Sequence, residues 1–113
     1  MTALIWSVFG TPDEAREIAR SLLKEKLIGC ANIVGGIESL FVWNGAIDQA
    51  KECGCLFKTD AKLLKAATNR LEQLHPYETP AILGWTCDEA GDATRTWLEE
   101  LAGNRTSQEH KQA

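Results

Sequence analysis

Leu40-Phe41-Val42-Trp43-Asn44-Gly45-Ala46-Ile47 reads as the tip of a β-hairpin. Asn-Gly between two strand-forming runs suits a type I′ turn, because both central residues of that turn need positive φ. Working outward, one arm runs back to Cys30 and the other forward to Thr59. At ~3.3 Å per residue, such arms reach about 45 Å. The amphipathic stretches on either side give helices of about 14–16 residues, only ~22–24 Å long at the helical rise. The hairpin therefore outruns the helices that should roof it. Leu40 and Val42 point to one face of the overhang, and Phe41 and Trp43 point to the other. A ribbon apolar on both faces needs cover. A second copy of the same chain is the economical source, so an obligate oligomer is expected.

The chain has 113 residues, enough for one domain with one core. With 44% apolar and 25% charged residues it belongs with ordinary globular proteins, not disordered or fibrous ones. The net charge is −4, and lysines and arginines are scattered among carboxylates. No basic stripe is left for nucleic acid. No stretch approaches the ~20 apolar residues of a membrane helix. Ala3-Leu4-Ile5-Trp6 lacks a preceding basic stretch and is broken by Ser7, so it reads as a strand and not a signal peptide. A cytoplasmic protein without membrane or nucleic-acid partners is expected, its four cysteines present as thiols.

Ala3 to Phe9 is apolar enough for a central strand. Thr11-Pro12-Asp13-Glu14 then starts a helix: Thr11 as N-cap, Pro12 at N1, and Glu14 closing a capping box onto Thr11. Ala15, Ile18, Ala19, Leu22 and Leu23 give that helix its apolar face, and Gly29 suits the C′ position. Gly35-Gly36 interrupts the first hairpin arm, as a bulge or a close backbone approach does. In an unbroken register Gly35 faces Gly54 and leaves a notch for another side chain. Asp60 caps a second helix, whose buried face is Leu64, Ala67, Leu71 and Leu74. His75-Pro76 stops it. His75 to Pro80 is a loop stiffened by two prolines, and Ala81 to Thr86 is another strand. A last helix spans Asp92 to Ala102 with Trp97, Leu98 and Leu101 inward, and Gly103 ends it. The order is the split βαβ, ferredoxin-like pattern with an extra C-terminal helix, an α+β fold. The domain covers 1–103, and 104–113 reads as a disordered polar tail.

Several pieces, in this order, resemble one family: Thr11-Pro12-Asp13-Glu14-Ala15, Cys30-Ala31-Asn32-Ile33, Trp43-Asn44-Gly45, Lys58-Thr59, Leu74-His75-Pro76-Tyr77-Glu78-Thr79-Pro80, and Trp97-Leu98. The set is similar to the CutA divalent-cation tolerance family over roughly residues 3–102. The resemblance implies a ferredoxin-like protomer in a tight, PII-like homotrimer. It also implies a cytoplasmic setting and an association with copper and other divalent cations. No reaction is attached to it. Some members have been assigned copper ligands at positions that here hold Phe9, Leu74 and His75, so only the last keeps a ligand side chain.

Among candidate site residues His75 leads, on a rigid mount beside Tyr77 and Glu78. Its functional reading is a metal or small-anion contact, made with Glu78 or with groups of a neighbouring chain. Its bland reading, preferred on the residues alone, is a hydrogen bond that locks an interface, because one imidazole makes no tight metal site. Tyr77, Lys58 and Trp43 are candidates to line a cleft between subunits. Cys53 and Cys55 point to the same face of a strand and are weaker candidates for a soft metal, with core packing the favoured role. No nucleophile–base motif, phosphate-cradling loop or HExxH pair is present, so no enzyme is expected. Two function classes emerge: a metal-responsive trimer that binds copper or another divalent cation, and a PII-like sensor of a small anionic metabolite. An acylphosphatase-like hydrolase is a third, and it lacks the anion-cradling loop such an enzyme needs.

Overall fold

A computed structural model describes residues 1–112, with side chains described through Arg105. In chain order the elements are β1 (Thr2–Phe9), α1 (Pro12–Lys24), β2 (Cys30–Trp43), β3 (Ala46–Asp60), α2 (Ala61–Leu74), β4 (Ile82–Thr86) and α3 (Asp92–Gln112). The strands form one sheet in the order β2-β3-β1-β4, with every neighbouring pair antiparallel. Each of α1 and α2 joins two strands that have a third between them. That is the split βαβ arrangement read from the sequence.

The helices cover one face. Ile5 and Phe9 of β1, and Cys53, Cys55 and Phe57 of β3, pack with Ala15, Ile18 and Leu22 of α1 and Ala67 and Leu71 of α2. The opposite face carries Leu4, Trp6 and Val8. By cross-strand pairing it also carries Leu56 of β3 and the exposed Leu83 and Trp85 of β4.

The hairpin is as long as its sequence implies. Asn44 and Gly45 take φ of 51° and 77°, and Trp43 pairs with Ala46 across the turn. The molecule's long axis is 49 Å, against about 20 Å for the 13-residue α1. The overhang is bare in a single chain: Leu40, Val42 and Ile47 are 68%, 71% and 82% exposed.

Three local readings are corrected and a fourth, the notch at Gly54, holds. The bulge at Gly35-Gly36, with Gly36 at φ 72°, slips the register by one residue, so Val34 and not Gly35 faces Gly54. The notch at Gly54 is real, and Trp6 fills it: a Cβ there would stand 2.3 Å from Trp6 Cη2. Glu14 reaches one residue further back than a capping box, its Oε2 accepting from the Gly10 amide at 3.2 Å, while Thr11 Oγ1 accepts from the Glu14 amide. Gly29 is not the C′ residue of α1. Lys26 takes the left-handed φ of 58°. Gly29 is small because a Cβ there would meet Leu98 Cδ2 of α3 at 2.7 Å.

The last helix runs through Gly103 to Gln112 instead of stopping. Gly103 takes no positive φ. Past it, Arg105 Nη1 donates to the Glu25 carbonyl at the end of α1, which ties the extra turn down. Among the described residues Leu98 and Ala102 are its buried ones, whereas Trp97, expected inward, is 44% exposed. The polar tail read over 104–113 is thus helical as far as Gln112, and Ala113 lies outside the described residues.

Candidate functional site

The loop between α2 and β4 folds back onto the end of β1, and His75 fastens it there. The ring is almost fully buried. It stacks on Phe9 with centroids 4.5 Å apart and planes 13° from parallel. Nε2 lies 2.9 Å from the Val8 carbonyl and 3.2 Å from Ser7 Oγ. Nδ1 accepts from the Tyr77 amide at 3.2 Å. A carbonyl only accepts and an amide N–H only donates, so these partners fix the neutral tautomer with its proton on Nε2. Burial holds the ring's pKa below its ordinary value, although the Val8 carbonyl, Glu14 and Glu52 all pull the other way.

Ser7 is fully buried, and its hydroxyl donates to the Ala81 carbonyl at 2.7 Å. The Ser7–His75 pair is therefore structural: the hydroxyl is committed to the loop and unavailable as a nucleophile. Tyr77, tilted beside His75, donates its hydroxyl to Glu52 Oε2 at 2.6 Å, which pins the loop to the base of the hairpin. Burial and the Glu52 carboxylate together raise the Tyr77 phenol well above its ordinary value.

Between this loop and the underside of the hairpin lies an open groove of about 680 Å³. Phe41, Val42 and Trp43 form its apolar wall, and Tyr77, Glu78, Thr79 and Ala81 form the opposite one. Asp48 and Glu52 are its acidic members on β3. The sequence candidates Tyr77, Glu78 and Trp43 thus come together. Lys58 does not join them, since it sits six positions beyond Glu52 on β3, about 20 Å along the strand.

Within one protomer both ring nitrogens of His75, the leading metal candidate, already have protein partners. Glu78 is exposed on the groove wall, and no histidine or cysteine among the described residues lines the groove with it. Cys53 and Cys55 are buried in the core, and burial, with Cys53 and Cys30 nearby, pushes the Cys55 thiol up to about 12. Such a thiol is packing material rather than an accessible soft ligand. Among the described residues no group of three or more His, Cys, Asp or Glu side chains is placed to hold a metal ion. Phe9 and His75, two positions of the family's assigned copper ligands, are indeed adjacent. Here an aromatic ring stands against the imidazole in place of a thiol. The residues present do not fit a tight copper site within one protomer. Sequence reasoning missed Ser7, and the signal for it was available: a polar residue at an inward position of an otherwise apolar strand.

Fold and groove together define a class: a ferredoxin-like split-βαβ domain with an overlong hairpin and an apolar, acid-rimmed cleft at its base. The profile of the CutA1 divalent ion tolerance protein matches residues 3–101, and the chain belongs to that family. The divalent-cation tolerance protein CutA of Thermotoga maritima is 39% identical over 97 residues, 86% of this chain and 95% of that one. The crystal structure of CutA1 from Ehrlichia chaffeensis superposes with a TM-score of 0.83 at 36% identity, covering 88% of this chain and 94% of the other. A structure described as the periplasmic divalent cation tolerance protein CutA from Archaeoglobus fulgidus gives 0.84 at 30% identity, covering 89% and 98%.

Proposed function

We propose that this protein works as a cytoplasmic homotrimer in the response to divalent cations, and that it binds its ligand without catalysing a reaction. The ligand site is the groove between hairpin and loop, completed by a neighbouring copy. One observation carries the reading: the apolar hairpin overhang stands uncovered beside that groove in a single chain. Covering the overhang with a sister molecule closes the cleft on its open side.

The groove's chemistry narrows the ligand. Glu52 is engaged by Tyr77, which leaves Asp48 and Glu78 as carboxylates that a hard cation could meet. A tight copper site would need soft donors from another subunit. The anion-sensor alternative has less support, since no lysine, arginine or histidine among the described residues lines the groove. Calorimetric titration with manganese, zinc, copper and a nucleotide panel tests this. Saturable cation binding that Glu78→Gln weakens supports the reading. Tight nucleotide binding with no cation response overturns it.

A further inference from the structure

We propose that the occupant of the groove is an elongated organic polycation of the aliphatic polyamine class: an apolar chain with a protonated amine at either end. The proposal rests on the groove being the ligand site and names what that site takes.

The floor of the groove is one face of the hairpin. Residues directly opposite in an antiparallel pair share a face, as do residues two apart along a strand. Phe41 pairs with Asp48, Ser39 pairs with Ala50, and Glu52 follows two positions on, so all of these lie on the groove side of the ribbon. Asp48 and Glu52 stand four positions apart, about 13 Å along the strand. Between them the floor is Ser39 and Ala50, two small, half-buried side chains. Each end sets an acid beside an aromatic ring. Asp48 has Phe41 across the strands, and Glu52 has Tyr77, whose hydroxyl it accepts at 2.6 Å. A carboxylate and a ring face both attract an ammonium group. A shallow trough with such a corner at either end matches a chain with a charge at either end.

The charge of the groove is not balanced from within. Asp48, Glu52 and Glu78 line it, and no lysine, arginine or histidine among the described residues does. None of these carboxylates is ion-paired among the described residues. Tyr77 gives Glu52 a neutral donor, and a carboxylate accepts further bonds, so its charge remains for a cation. A bare metal ion would fill little of about 680 Å³ and leave the apolar wall unused. An anion would meet three carboxylates. An elongated amine uses the length, the wall and the charges together.

Calorimetric titration of the full chain with spermidine, putrescine and butylamine, which carry successively fewer amines, tests this. Spermidine should bind saturably and tightest, butylamine weakest, and the binding should weaken as salt rises. Glu52→Gln keeps an acceptor for Tyr77 and removes the charge. It and Asp48→Asn should each weaken spermidine at least about threefold. Both should weaken butylamine less, since a single amine can use the other corner. Phe41→Leu should weaken spermidine and leave manganese binding unchanged. Asp48 is exposed, so Asp48→Asn decides the matter if Glu52→Gln misfolds. Spermidine that binds no tighter than butylamine, or that ignores Asp48→Asn, overturns the proposal. Saturable manganese binding with no amine binding also overturns it and leaves the groove standing as an inorganic cation site. Binding of neither overturns the groove itself.

Discussion

Gly54→Ala gives a sharp test of the packing between β1 and β3. The added methyl would lie 2.3, 2.8 and 3.1 Å from Trp6 Cη2, Cζ2 and Cζ3, more than 1 Å inside ordinary contact at the closest atom. Trp6 is a rigid ring, so relief requires a rotamer change or a shift of the sheet. Overpacking of this kind costs about 1–3 kcal/mol. Gly54 takes no positive φ, so alanine there also gains about 0.4–1 kcal/mol by restricting the unfolded chain. The net expectation is a loss of about 1–2 kcal/mol in denaturant unfolding, with an unchanged slope. The control is the cycle with Trp6→Leu, which opens the space. In that background Gly54→Ala should be neutral or stabilising, a coupling on the order of 1–3 kcal/mol. A single variant as stable as the parent, or a cycle with no coupling, would mean that Trp6 does not lie over Gly54.

Acid should weaken the fold through His75. A buried ring whose folded pKa is depressed binds fewer protons than the unfolded chain, so stability falls as pH drops below 6.5, by at most about 1.4 kcal/mol per unit. Thermal melts between pH 7.5 and 5 read this slope, and His75→Gln should flatten it. Base should weaken the fold through Cys55, whose thiol stays protonated when folded up to about 12. The unfolded thiol ionises from about 9, so stability should fall above that pH, and Cys55→Ala should remove that part of the loss. Trp43→Ala should cost about 3–5 kcal/mol of assembly stability if a sister molecule buries the hairpin tip. A change within error would mean the tip is solvated.

The hairpin, the element order and the helix starts were legible because each rests on local chemistry. Asn44-Gly45 sets its own turn, Thr11 and Asp60 cap by side chains reaching amides two or three residues away, and 3.6-residue spacing marks Ala67 and Leu71. What failed depends on distant partners. Gly29 looked like a helix terminator, but its smallness serves Leu98, some seventy residues on. Gly103 looked like a stop, and Arg105 holding the end of α1 lets the helix continue. The Gly35-Gly36 bulge was itself legible from the glycine pair, and it sets Val34, not Gly35, opposite Gly54. The site shows the same division. The His75-Pro76-Tyr77-Glu78 cluster stood out as a rigid mount, and Tyr77, Glu78 and Trp43 do share a groove. The role of His75 was set by Ser7 and Val8, nearly seventy residues earlier in the chain, and only the fold brings them to its ring.

A bare hairpin and an open sheet face both call for further copies of the chain to complete them. Sedimentation equilibrium at micromolar concentration addresses that completion directly. Three copies of a 12.4 kDa chain (3 × 12.4) give a single species of about 37 kDa, and that is the mass expected. A folded species of 12.4 kDa at that concentration would contradict it.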